Sequence, residues 1–166
     1  MAGQGRASIA AAVIAILAGT AEQACAATAQ TTFQVTATVV PACAVTALDL
    51  EFPDYNPTSA APTVGSTDVR ITCTSGVAYN VGLDAGAGAG AAVGARKMAD
   101  GAATLTYALY SDGGYATVWG DTIGANTVAG VGSGAQQILT VHGRIGAQQP
   151  APAGSYADTI TVTVTF

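Results

Sequence analysis

The stretch GSYADTITVTVTF, residues 154–166, alternates with a period of two. From Tyr156 the even positions carry Tyr, Asp, Ile, Val, Val and Phe, and the odd ones carry Ala157 and then four threonines. Such a pattern predicts a half-buried β-strand with β-branched residues on both faces. Phe166 is followed by no turn, cap or polar tail. A strand this apolar needs sheet partners, and one neighbour is expected either from the other end of the chain or from another molecule.

The other end offers a matching element. TTFQVTATVV, residues 31–40, places Phe33, Val35, Ala37 and Val39 on one face and Gln34, Thr36 and Thr38 on the other, and Pro41 then breaks the run. Between the two lie further short strand candidates: CAVTALDLEF, TDVRITC, VAYNVGLDA, TLTYALYSD, the brief ATVWGD, and QILTVHGRI. The alternation turns Val69, Ile71 and Cys73 inward in one, Val77, Tyr79, Val81 and Leu83 in the next, then Leu105, Tyr107 and Leu109, then Leu139 and Val141. Short strands separated by Gly, Pro, Asn and Asp clusters predict an all-β sandwich with hairpin and Greek-key connections. Two low-complexity stretches, Gly86–Ala95 and Gly120–Gly134, read as mobile surface loops.

Arg6, the apolar run Ile9–Ala18 and the small residues Ala24-Cys25-Ala26 form a secretory leader, residues 1–26, with the cut expected before Ala27. Glu22 and Gln23 sit where a lipid-attachment motif wants apolar or small residues. The run is too short to span a bilayer, and no other segment is long and apolar enough to do so. The remaining 140 residues suit one domain. They keep four basic and nine acidic side chains, a net charge of −5, which argues against nucleic acid or anionic lipid as a partner. Without the leader the cysteines are Cys43 and Cys73, in a chain bound for an oxidising compartment. A disulfide is the favoured reading over a metal pair or a redox couple. Closing a loop of that length contributes about 3.5 kcal/mol in the chain-entropy model.

No constellation for catalysis stands out. Gly86-x-Gly88-x-x-Ala91 follows a strand, but a dinucleotide fingerprint needs a helix after it, and Arg96 precedes Lys97 where a phosphate-binding loop needs Gly. His142 is the sole histidine, on a predicted strand, with no nucleophile motif beside it. Asp54, Asp84, Asp100, Asp112 and Asp121 fall mostly in turns, where Asp is favoured for backbone reasons. Trp119 reads as packing rather than a sugar platform. The chain is therefore expected not to be an enzyme and to need no cofactor and no metal.

In order and spacing, FQVTATVVPACAV, VRITCTSGVAYNVGLDAG, LTYALYSDGGYATVWGD and the ending resemble the spore coat protein U-like family, which includes pilin subunits of archaic chaperone–usher pili. The ending is the most specific part. It is similar to the family's Gly-x-Tyr-x-Asp-Thr-x-x-Val-Thr-Val-x-Phe close at Gly154, Tyr156, Asp158, Thr159, Val162, Thr163, Val164 and Phe166. The resemblance implies an incomplete immunoglobulin-like sandwich that lacks its final strand, leaving a groove beside the C-terminal one. A periplasmic chaperone fills such a groove first, and at the outer-membrane usher the N-terminal strand of the next subunit replaces it. On this footing residues 27–41 are a donor-strand extension bearing Phe33, Val35, Ala37 and Val39. Residues 42–166 are the pilin domain, with Tyr156, Ile160, Val162, Val164 and Phe166 walling the groove. The implied role is a structural pilin that polymerises with other pilin subunits at the cell surface, supporting adhesion or biofilm formation. Residues 27–166 leave no room for a second, receptor-binding domain, so a shaft or minor subunit is expected. Two alternatives remain at this stage: a self-contained secreted binding module, with residues 31–40 folded back on the C-terminal strand, and a spore or surface coat protein that swaps strands without an usher.

Overall fold

The computed structural model describes residues 26–166; nearly all of the expected leader lies outside them. Among the described residues there is no helix, and eight strands form two antiparallel sheets. In chain order the strands are β1 (Cys43–Ala47), β2 (Thr63–Cys73), β3 (Ala78–Leu83), β4 (Arg96–Asp100), β5 (Ala103–Tyr110), β6 (Val128–Val131), β7 (Gln136–Ile145) and β8 (Val162–Thr165). The larger sheet runs β1-β2-β7-β5-β4 and the smaller β6-β3-β8. β2 and β7 are the long central pair, in register from Thr63 opposite Ile145 to Thr72 opposite Gln136.

The core is the set of inward side chains that the period of two selects. Val69 and Ile71 from β2, Leu105, Tyr107 and Leu109 from β5, and Val141 and Ile145 from β7 meet Tyr79, Val81 and Leu83 from β3. Trp119, on the segment after β5, fills the space between them and donates its indole N–H to the Val81 carbonyl at 2.8 Å. Burying so large a ring is favourable only because its one polar group is satisfied.

Residues 31–40, expected to give their strand to a partner, form none within this chain: positions 26–42 belong to neither sheet. A strand is a cooperative ladder, and a segment with no pairing partner has no strand to be part of. CAVTALDLEF contributes only β1, because beyond Ala47 the backbone leaves the ladder. ATVWGD contributes a single bridge, Tyr110 to Val118. The Gly120–Gly134 stretch, expected as a loop, contains β6, and the Gly86–Ala95 loop leads at once into β4. Both strands are short; Ala129 and Gly130 interrupt the alternation of β6, and β4 carries no β-branched residue. The C-terminal strand is also shorter than its pattern: residues 156–161 make only one bridge, Ala157 to Ala99 on β4, before β8 pairs with β3.

Candidate functional site

β1 is an edge of the larger sheet and β8 an edge of the smaller, and an opening lies between the segment that continues β1 and the segment that leads into β8. The opening is a groove of about 440 Å³. Ala47, Leu48, Leu50 and Phe52 line it from the segment that continues β1, and Tyr156, Ile160 and Val162 from the segment that becomes β8. Core residues such as Val69, Leu83, Leu109 and Val141 also line it. The first wall is held to β2 by the Leu48 N–H donating to the Asp68 carbonyl at 3.1 Å and by the Thr67 hydroxyl donating to the Leu48 carbonyl at 2.9 Å. Gly143 on β7 gives Phe52 its place, since a Cβ there would come within 2.6 Å of the Phe52 ring.

The second wall carries the alternation read from the sequence. Tyr156, Ile160, Val162 and Val164 are each half-buried, while the odd positions between them are exposed. Tyr156, Ile160 and Val162 line the groove; Val164 packs on the core beside it. Phe166 lies outside β8 and is 56% exposed. Half-burial of a run of β-branched side chains on a sheet edge leaves apolar surface and a row of backbone groups without ladder partners, which is a template for another strand. Phe33, Val35 and Val39 are 86%, 83% and 81% exposed, and Ala37 is exposed too. The structure therefore brings together the residues of the C-terminal wall but leaves those of the N-terminal segment unpacked.

Cys43 and Cys73 lie directly opposite each other at the end of the β1–β2 ladder and are joined as a disulfide. The bond ties the edge strand β1, whose continuation makes one groove wall, to the central strand β2.

Polar groups brace the far side. Arg96 opens β4 and is fully buried. Its guanidinium donates to the carbonyls of Asp84 (2.8 Å), Val93 (2.7 Å), Leu83 (3.0 Å) and Trp119 (2.7 Å). Burial pushes its pKa down, and the nearby Tyr107 and the carboxylates of Asp84, Asp121 and Asp158 oppose that. For Asp84, burial favours the neutral acid, but hydrogen bonds from Thr161 and Gly86 and the Arg96 charge outweigh it and hold the group below the ordinary carboxylate value. Asp158 accepts from the Tyr107 hydroxyl, the Ala87 N–H and the Thr159 N–H, each at 2.8 Å. Burial first, then this bond and the Asp158 charge, push Tyr107 well above its usual range. The wall residues Leu48, Leu50 and Phe52 and the Tyr107–Asp158 pair were not singled out from sequence. Only the alternation of LDLEF hinted at the former.

Elsewhere the chemistry is structural. Asp112 accepts from the N–H groups of Gly114, Ala116 and Thr117 and so builds the turn after β5. His142 sits on β7 with its ring 6.3 Å from that of Tyr115.

Comparison with known proteins adds to this geometry. The model of the Spore Coat Protein U domain matches residues 29–163. Protein U of Myxococcus xanthus is 36% identical over 106 residues, which cover 61% of this chain and 59% of that protein. Among solved structures, a chain in the crystal structure of the CsuC–CsuE chaperone–tip adhesion subunit pre-assembly complex, from archaic chaperone–usher Csu pili of Acinetobacter baumannii, superposes with a TM-score of 0.58 at 25% identity. That match covers 78% of this chain and 40% of the other. The chain thus spans less than two thirds of either relative.

Proposed function

Because the chain belongs to the Spore Coat Protein U domain family, we propose that it is a structural pilus-type subunit that assembles by accepting and donating β-strands. One observation carries this reading: the groove of about 440 Å³ between the β1 continuation and the C-terminal wall, where a sandwich would hold one more strand. The occupant is the N-terminal segment of a second copy or of a related subunit. Its alternating Phe33, Val35, Ala37 and Val39 offer a row of apolar side chains at strand spacing. Burial of the three larger ones contributes roughly 5 to 9 kcal/mol before ordering costs. Backbone hydrogen bonds to the β8 edge add to that and set the direction of the strand.

Donor and acceptor are different segments of one chain, so repeated pairing is head-to-tail and builds a filament rather than a closed dimer. Before assembly the open groove is an aggregation hazard, which supports a periplasmic chaperone as its first occupant and an outer-membrane usher as the site of exchange. The likeness to a chain of the Csu complex supports the same route to the cell surface, where the filament serves adhesion or biofilm formation. Nothing in this role calls for catalysis or a cofactor.

Removal of residues 28–40 tests the reading. The shortened chain is expected to bind a synthetic peptide of those residues and to form no filaments alone, as judged by electron microscopy. Filaments of the shortened chain would rule strand donation out.

A further inference from the structure

A groove with apolar walls tends to close, because bringing the walls together removes apolar surface from water. Something must set the spacing. Tyr107 projects inward from the middle of β5 in the larger sheet, and its hydroxyl donates to Asp158 on the C-terminal wall at 2.8 Å. Both residues line the groove. Tyr107 also packs its ring edge-on against Phe52 of the first wall, with centroids 6.1 Å apart.

Asp158 is itself fixed from three sides. Its Oδ1 accepts from Ala87 in the loop before β4 and from Thr159 beside it. Ala157, one residue earlier, exchanges two backbone hydrogen bonds with Ala99 on β4, at 2.9 and 3.1 Å. Three residues later, Thr161 donates to Asp84 and the chain turns onto β3. Gly86, at φ +82°, lies so close to the carboxylate that any Cβ there would collide with it. A carboxylate among apolar side chains is costly unless its hydrogen bonds are made, and here both oxygens are used.

We propose that Tyr107 and Asp158 are positioning residues of the groove. Their hydrogen bond is a strut of fixed length that holds the C-terminal wall at the distance a strand requires. This role rests on the strand-acceptor reading above. Preorganisation of this kind lowers the cost of ordering the site when the strand enters, and so sets how long the strand stays.

The test uses the full chain and a fluorescently labelled peptide of residues 28–40. Tyr107→Phe and Asp158→Asn are each expected to weaken peptide affinity about 5- to 20-fold, mainly through faster release. The double variant should be no more than about twofold worse than the weaker single one, because both remove the same bond. Measurements are made where circular dichroism shows each variant fully folded. A merely structural role would lower the urea midpoint but leave the folded chain's affinity unchanged. Tyr110→Phe, at the end of the same strand and outside the groove, should bind as wild type does. Equal affinity in wild type and both single variants would overturn the strut while leaving the strand-acceptor reading intact. A wild-type chain that fails to bind the peptide would overturn both. Should Tyr107→Phe not fold, the isosteric Asp158→Asn decides by the same measure.

Discussion

Arg96 shows how one side chain can organise a region that looks featureless in sequence. Its guanidinium satisfies four carbonyls from three different places in the chain, the adjacent Leu83 and Asp84, Val93 and Trp119. Arg96→Met would preserve much of the volume but leave those carbonyls short of a donor in a buried site. The expected cost is about 3 kcal/mol or more, and Arg96→Lys, with a compact ammonium in place of the fork, should recover only part of it. Chemical denaturation of the variants checks both. Asp84 makes a second prediction, on pH. Its folded pKa lies below the ordinary 3.8, so ionisation is favoured by folding. The resulting stability is complete at neutral pH and is lost as pH falls through 3.8 and then through the lower folded value. Urea midpoints of wild type and Asp84→Asn should therefore differ most near neutrality and converge on acidification below that value. A gap that stayed constant with pH would show that the charge of Asp84 plays no part.

At the level of elements, the strands with clean alternation and β-branched residues were legible, and most of their inward residues are the buried core; Val77, which precedes β3, and Leu139 are only half-buried. β4 and β6 were not. Arg-Lys-Met-Ala-Asp and Val-Ala-Gly-Val are short and carry little β-propensity; they are strands because β5 and β3 offer them backbone partners. The converse holds for residues 31–40, whose pattern is among the clearest in the chain and which pair with nothing in the described structure. Propensity reports what a segment could do on a sheet, and pairing decides whether it does. β8 permits a direct test of the edge. Val162 is half-buried, lines the groove and sits opposite Leu83 in the β3 ladder. Val162→Asp should cost about 1 to 3 kcal/mol in stability, from lost burial and a partly desolvated charge. It should abolish measurable binding of the peptide of residues 28–40, as judged by isothermal titration calorimetry.

For the whole molecule, the disulfide and the open edge are linked. Cys43 and Cys73 close a separation of 30 residues and fasten the edge strand β1 to β2, while the other edge of β1 has no partner in its sheet. Replacing both cysteines with serine should lower stability by about 3.5 kcal/mol, measured by urea denaturation against the oxidised wild type. Peptide affinity should fall as well, since one groove wall continues from β1. What the sequence determined by itself is local: which segments alternate, which face of each is apolar, and that Cys43 and Cys73 are available to pair. Those properties follow from a period of two and from residue chemistry, which need no knowledge of the rest of the chain. The tertiary structure alone decided that Leu48, Leu50 and Phe52 face Tyr156, Ile160 and Val162 across an open groove. It also decided that Tyr107 meets Asp158 across 51 residues of sequence, and that Ala87 meets it across 71. Contacts of that span arise only when the fold brings distant segments together, and no short-range pattern along the chain encodes them.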